Sequence, residues 1–183
     1  HSNNYSITIS TRKEIAWHDT SIGATAEYST NTSKILRQSV ITNYQFNSFF
    51  ITANLAFNLI KYIRLTDNYK WTISQSKAGN YINTIRNISN ETSLDVTFLP
   101  DRLLLNTTLQ YTHNSGFTDR KDYTFMTLSI TFKPSKKVQL VLNFDNILNT
   151  DTFVYRSNSN LTESYTLYQL RPRCVMLTTH FAL

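Results

Sequence analysis

Apolar and polar side chains alternate along most of the chain with a period of two, the spacing of β-strands whose two faces meet different surroundings. Between residues 138 and 146 the pattern is clearest, and Val141 is the one apolar residue on its polar side. One face there carries Val138, Leu140, Leu142 and Phe144, and the other carries Gln139, Asn143 and Asp145. Residues 175–183 repeat this pattern up to the last residue, an arrangement typical of an outer-membrane β-barrel.

The same spacing predicts about nine strands, each antiparallel to the next, and no helical period of 3.6 residues appears. Eight predicted strands lie at 5–10, 22–29, 49–59, 65–74, 103–112, 126–132, 138–146 and 175–183, and the fifth strand in chain order is predicted to end with residues 93–98. Links near Lys13, Lys61, Asp101 and Ser135 are predicted to be short and basic. Longer loops rich in Asn, Ser and Thr are predicted near Thr32 (residues 29–38), Gly79, Gly116 and Ser157. Short turns on one rim and long loops on the other are typical of outer-membrane barrels.

The composition of the polar face favours a lipid-facing barrel over a soluble sandwich. The polar positions are mainly Thr, Ser, Asn and Gln, and charged residues make up only 16% of the chain, whereas a solvent-facing sheet surface is typically rich in Lys and Glu. Aromatic residues make up 13%, and several are predicted near strand ends, as an interfacial girdle requires. These girdle candidates are Tyr69, Trp71, Phe98, Tyr111 and Phe132. The sequence contains no run of roughly 18 apolar residues, so it predicts no transmembrane helix.

The net charge of +6 raises the question of nucleic-acid binding, but the basic residues are placed at turns and not in a stripe with aromatic residues. We therefore predict no nucleic-acid partner. The single cysteine, Cys174, excludes an internal disulfide and is interpreted as a small packing residue.

No catalytic, cofactor or metal motif is present, so the chain is predicted not to be an enzyme. His1, His18, His113 and His180 lack the spacing of metal ligands, and His180 is interpreted as a hydrogen-bonding residue of the inner face. Asp95 and Asp145 are interpreted as polar groups of the same face. Arg171 and Arg173 flank Pro172 near the start of the last strand, where rim anchoring is the favoured role and anion recognition the alternative.

The last third of the chain resembles the end of a TonB-dependent outer-membrane receptor of the Bacteroidetes (SusC-like) type. The residues that carry this resemblance are Lys121-Asp122-Tyr123, the strand at 126–133, Val138-Gln139-Leu140, the segment from Asn143 through Asn146-Ile147-Leu148-Asn149, and Leu170-Arg171-Pro172-Arg173. Earlier parts of the chain match the same receptor family in strand lengths and in the Ile15-Ala16-Trp17 turn. The chain departs from the family at its last residue, which is Leu183 and not the Phe often found there.

The resemblance implies a barrel of roughly 22 strands filled by a plug domain. About nine strands would then form the C-terminal part of a larger wall, residues 1–183, with no plug domain in this sequence. It also implies the bacterial outer membrane as location, uptake of a nutrient such as a siderophore, glycan or peptide, and no cofactor. The implied partners are the remaining strands and plug, membrane lipid, a surface lipoprotein that lids the mouth, and TonB, engaged through a segment outside this sequence.

Two other functions remain open at this stage. The chain is compatible with a complete small outer-membrane barrel that has a structural or adhesive role, with side chains packed in its lumen. It is also compatible with a secreted β-sandwich that binds carbohydrate. Because the sequence starts at His1 without a signal peptide, we expect it to be a processed piece or a fragment.

Overall fold

The computed structural model describes residues 2–37, 40–99, 102–115, 122–158 and 163–181, and these residues are almost all in β-strands. One 3-10 turn, Trp17–Asp19, joins the first two strands. The strands are β1 (Asn3–Ile15), β2 (Thr20–Arg37), β3 (Val40–Ile60), β4 (Ile63–Ala78), β5 (Tyr81–Leu99), β6 (Leu103–Asn114), β7 (Asp122–Ser135), β8 (Val138–Asp145), β9 (Thr152–Asn158), β10 (Glu163–Gln169) and β11 (Cys174–Phe181). The predicted all-β, antiparallel class is confirmed.

Nine of these strands form one sheet in the order β1-β2-β3-β4-β5-β6-β7-β8-β11, and β9 and β10 form a separate hairpin. Every pair in the sheet is antiparallel, so the chain runs up and down from neighbour to neighbour. Within the described residues, β1 and β11 are the two edges and do not pair with each other. The structure therefore shows an open sheet of nine strands.

Three predicted loops are wrong. Of the segment predicted as a loop at 29–38, residues 29–37 are part of β2, which pairs with β3 as far as Arg37 opposite Val40; residue 38 is outside the described residues. Near Gly79 the link is a tight turn between Ala78 and Tyr81, with Gly79 at a φ of 61°, a conformation that glycine adopts without strain. The polar loop predicted before the last strand contains the β9–β10 hairpin. At residues 29–37, polar side chains on both faces concealed the strand, because they remove the alternation that marks a strand.

The predicted division into faces is confirmed by the register, since paired residues of neighbouring strands point to the same side. One row across the sheet joins Ile63, Val96, Leu105, Ile130, Leu142 and Leu177. On the other side, Thr108 pairs with Ser93 and Thr127. We call these sides the apolar face and the polar face.

Three register shifts lie at the same end of the sheet, which we call the short-turn rim. They fall at 58–60 in β3, at 97–99 in β5 and at 132–135 in β7, each beside a short turn. Such bulges increase local twist and are common at barrel rims. The shift in β5 moves Phe98 out of the alternation, and Leu99 takes its place opposite Leu103. Phe98 and Phe132 lie at this rim as predicted for a girdle, whereas Trp71 lies mid-strand because β4 is longer than expected.

Burial is concentrated on the polar face. The buried apolar residues of the described chain are Tyr44, Ile85 and Tyr123, and the register places all three on that face. On the apolar face, Val175 is 63% and Leu177 67% exposed. Leu105, Leu128 and Leu140 are partly exposed on the same face. No second layer covers the apolar face within the described residues.

Candidate functional site

The β9–β10 hairpin lies on the polar face, where aromatic residues hold it. The Phe153 ring meets the Tyr123 ring edge-on at a centroid distance of 5.1 Å and the Phe125 ring at 5.6 Å. Within the hairpin, the Phe153 and Tyr168 rings stack at 5.9 Å. Such pairs add roughly 0.5–1.5 kcal/mol each beyond the area they bury. The hairpin therefore places an aromatic surface against an otherwise polar sheet.

A hydrogen bond between a side chain and the backbone fixes β9 to β6 near the tip of the hairpin. The Asn114 side-chain amide donates a hydrogen bond of 2.9 Å to the Arg156 carbonyl oxygen. Asn114 is only 1% exposed and Tyr123 only 2%. Since a buried amide that loses its partner is costly, this contact favours the docked position of β9.

The base of the hairpin is clamped by Asn146, which belongs to the segment 143–149 that carries the resemblance. Its Nδ2 atom donates to the carbonyl oxygens of Thr150, at 2.8 Å, and Arg171, at 2.7 Å. Its Oδ1 atom accepts from the Thr150 backbone N–H at 2.9 Å. Thr150 precedes β9 and Arg171 follows β10, so one side chain ties both ends of the hairpin together.

Two asparagines in this segment have the left-handed backbone conformation. Asn146 has a φ of 51° and Asn149 a φ of 56°, which asparagine tolerates better than most residues. Asn149 Oδ1 accepts from the Arg173 backbone N–H at 3.3 Å. The Thr150 hydroxyl donates to the Thr124 carbonyl oxygen at 2.8 Å, which fixes the segment to β7. The resemblance motif thus forms the turn that seats the hairpin.

A cavity of about 290 Å³ opens on the polar face beside the hairpin. Its lining is polar apart from Ile88 and the Tyr155 ring, and comprises Lys70, Thr72, Ser74, Asn87, Ser89 and Thr112. Asn87 Oδ1 is buried and has no hydrogen-bond partner among the described residues. Buried polar atoms are normally paired, so this oxygen is an unsatisfied acceptor in a residue that lines the cavity.

A shallower groove of about 460 Å³ continues from the cavity across the polar face and shares Lys70, Ser89 and Thr112 with it. Its polar residues are held by hydrogen bonds between strands. Gln110 Nε2 donates to Glu91 Oε2 at 2.5 Å, and in the next polar row, outside the groove, the Ser93 and Thr108 hydroxyls lie 3.0 Å apart. Together, the groove and cavity offer hydroxyl, amide and ammonium groups on a surface fixed by the sheet.

Asp95 and Asp145 lie on the polar face, as predicted. Asp95 accepts a 2.6 Å hydrogen bond from the Asn106 amide, and Asp145 lies opposite Cys174, with Sγ 4.0 Å from its Oδ2. His180 is on the same face, opposite Gln139. The structure does not bring these residues together into one site.

Arg171 and Arg173 contribute to the hairpin base through their backbones, by the contacts with Asn146 and Asn149 described above. His113 and His180 lie on opposite faces, and His1 is outside the described residues. The described part of the chain contains no group of three His, Cys, Asp or Glu residues that could hold a metal ion.

The sequence analysis missed the hairpin and its docking residues. Phe153, Val154 and Tyr155 form a short run of aromatic and β-branched residues, and Tyr165, Leu167 and Tyr168 form a second apolar group after the Asn- and Ser-rich stretch. This is a hairpin pattern, and it could have been found. The contact of Asn114 with Arg156 could not, because it joins residues distant in the sequence.

Two hydrogen-bonded clusters, each centred on an acidic residue, lie on the apolar face. Asp67 lies between Leu65 and Tyr69 on this face, opposite Leu55, and accepts hydrogen bonds from Thr92 at 2.6 Å and Asn90 at 2.9 Å. Nearer the ends of β6 and β7, Asp122 Oδ1 accepts from the Tyr111 hydroxyl at 2.5 Å and lies 2.8 Å from His113 Nδ1. Neither cluster was predicted from the sequence.

Comparison with protein-family models, with curated proteins and with solved structures finds no match to this chain. Among the described residues, no helix has the length and apolar character needed to cross a membrane.

Proposed function

We propose that this chain forms part of the wall of a TonB-dependent transporter in the bacterial outer membrane. The observation that carries the proposal is the distribution of burial described above: the apolar face is uncovered, and the residues buried on folding lie on the polar face. A water-soluble sheet buries its apolar face against a second layer. In a membrane barrel, lipid takes the place of that layer.

The strands are long enough for this role and extend beyond the apolar region. β3 has 21 residues and β5 has 19, whereas a tilted strand crosses the hydrocarbon core in about 9–11 residues. In β3 the apolar face runs from Phe49 to Phe57, and Gln45 and Asn47 beyond it are polar. The remaining length of these strands would project past the membrane and build the external mouth.

Both sheet edges, β1 and β11, remain available for pairing. Unpaired backbone groups are expensive in lipid, so a membrane wall must be closed. Further strands of the same or another chain would pair with these edges and complete a barrel around a plug domain. A surface lipoprotein at the mouth and TonB on the periplasmic side would be the other partners.

The polar face would line the path of a nutrient such as a siderophore, glycan or peptide. The cavity beside Tyr155 and the groove next to it supply hydrogen-bonding groups along that path. The β9–β10 hairpin, docked on Tyr123 and Phe125, would narrow the passage from one side. The proposed function is passive selection and guidance of the substrate, without covalent chemistry.

The assignment of the two faces can be tested with two single-cysteine variants at adjacent positions. In a Cys174→Ser background, Leu142→Cys places a thiol on the apolar face, and Asn143→Cys places one on the polar face. Both positions are labelled with an environment-sensitive fluorophore after the protein is purified in detergent and reconstituted into vesicles. We expect brominated lipids to quench the label at residue 142 strongly and the label at residue 143 weakly.

Equal quenching at both positions would contradict the assignment of the faces. A protein that stays monodisperse in plain buffer would contradict a membrane location and favour the soluble carbohydrate-binding sandwich. The small standalone barrel predicts a heat-modifiable native protein of about the mass of this chain, 21.2 kDa. The transporter predicts a larger native polypeptide or complex with a plug.

A further inference from the structure

A cluster of basic side chains surrounds one concavity at the short-turn rim. The concavity measures about 620 Å³, and four cationic residues line it: Arg102, Lys133, Lys136 and Lys137. Arg102 lies at the β5–β6 turn and the lysines at the β7–β8 turn. A backbone hydrogen bond of 2.7 Å from Lys133 to the Arg102 carbonyl oxygen holds the two turns together. We call these four residues the basic rim cluster.

The basic rim cluster has no acidic counterpart among the described residues that line the concavity. Of the described residues, none forms a salt bridge with any of the four. Asp101 precedes Arg102 in the sequence and is outside the described residues, and it could neutralise only one of the four charges. Four like charges around one space repel each other, so a bound anion with several acceptor oxygens would relieve the repulsion.

The cluster lies where the apolar face ends. Val138 and Phe181 line the same concavity and pair on the apolar face, and Gln139 and His180, which pair on the polar face, line it as well. Phe132, on the apolar face, is 40% exposed. Cations that adjoin an apolar band at its edge match the position of a phospholipid phosphate, with its acyl chains along the band.

We propose that the basic rim cluster binds the phosphate headgroup of an anionic phospholipid at the periplasmic surface of the membrane. This inference rests on the proposed function, because it requires the apolar face to meet lipid. Lys136 and Lys137, both exposed on the turn, would approach the phosphate oxygens from one side, and Arg102 and Lys133 from the other. The acyl chains would follow Val138 and Phe181.

The test uses the purified full-length protein in an uncharged detergent and measures binding of three probes. The probes are dihexanoyl-phosphatidylglycerol, dihexanoyl-phosphatidylcholine and inorganic phosphate. The Lys136→Gln/Lys137→Gln variant should bind the phosphatidylglycerol about thirty-fold more weakly, at about five-fold for each lysine. A Lys13→Gln/Lys61→Gln variant removes one lysine near the end of β1 and one from the β3–β4 turn, both toward the same rim, and should bind as the unmodified protein does.

Binding of phosphatidylglycerol should also weaken as salt is raised, because the contact is electrostatic and exposed. Equal affinity for phosphatidylcholine, or no loss in the Lys136/Lys137 variant, would overturn the inference. Equal affinity for inorganic phosphate would overturn the inference that the ligand is a lipid, because the cluster would then be a site for free anions. These outcomes leave the proposed function intact, whereas a protein that needs no detergent would refute the proposed function itself.

Discussion

Replacing Asn146 by glycine should release the β9–β10 hairpin from the polar face. The change removes three hydrogen bonds, two to Thr150 and one to Arg171, with lengths of 2.7–2.9 Å. Glycine adopts the positive φ of this position without strain, so the lost bonds dominate the effect. At about 1 kcal/mol for each part-buried bond and less for the exposed one, docking should weaken by about 2–3 kcal/mol. The undocked population should then rise roughly 30- to 150-fold.

Tryptic cleavage after Arg156 measures this population, because the Arg156 carbonyl oxygen is bound to Asn114 in the docked hairpin. When opening is fast relative to cleavage, the cleavage rate follows the open fraction. Asn149→Gly is the matched control, since Asn149 also has a positive φ but offers its side chain to a single backbone N–H at 3.3 Å. We expect at most about a five-fold increase there. Equal rates in the two variants would refute the clamp.

Three further substitutions test other parts of the structure. Leu142→Arg should destabilise the protein in vesicles by about 2–4 kcal/mol and Asn143→Arg by less than about 1 kcal/mol, as measured by urea unfolding, because only the first puts a charge against lipid; similar values would argue against the assigned faces. Phe153→Ala should weaken hairpin docking by about 2 kcal/mol in the tryptic assay, whereas Leu167→Ala, at a position 54% exposed, should have little effect; the reverse order would place the docking contact elsewhere. Asn87→Ala should leave thermal stability unchanged or slightly higher, since it removes a buried oxygen without a partner; a loss above about 1 kcal/mol would show that this oxygen is paired.

The alternation of side chains was sufficient to predict the sheet and its faces. Leu105 and Leu142 could be assigned to one face from the sequence because most residues of their strands alternate, with Leu104 and Val141 as the apolar exceptions beside them. A shift of one residue would move every apolar side chain to the polar side, so such a pattern strongly restricts the register. The same reasoning failed at residues 29–37, where polar residues on both faces hide the strand.

The candidate site was only partly predictable. The resemblance drew attention to Asn146 and Asn149 before their roles were known, and the structure supplies the physical reason: two left-handed turn positions and a clamp. The docking of Phe153 on Tyr123 depends on a contact between distant segments, and no local spacing encodes it. The basic residues of the short turns were visible in the sequence, but their gathering around one concavity depends on the pairing of β6 with β7.

Asp67 presents the main physical objection to a lipid-facing surface, because it interrupts the apolar face between Leu65 and Tyr69. A charged side chain at the centre of a membrane costs about 2.5–3.5 kcal/mol on insertion scales, and acidic residues on barrel walls cost less than basic ones. Thr92 and Asn90 donate hydrogen bonds of 2.6 and 2.9 Å to its carboxylate from the neighbouring strand. Bonds to a charged group contribute about 1.5–3 kcal/mol each. Two of them offset a penalty of this size, so a lipid-facing wall can retain Asp67 where its neighbours supply both donors.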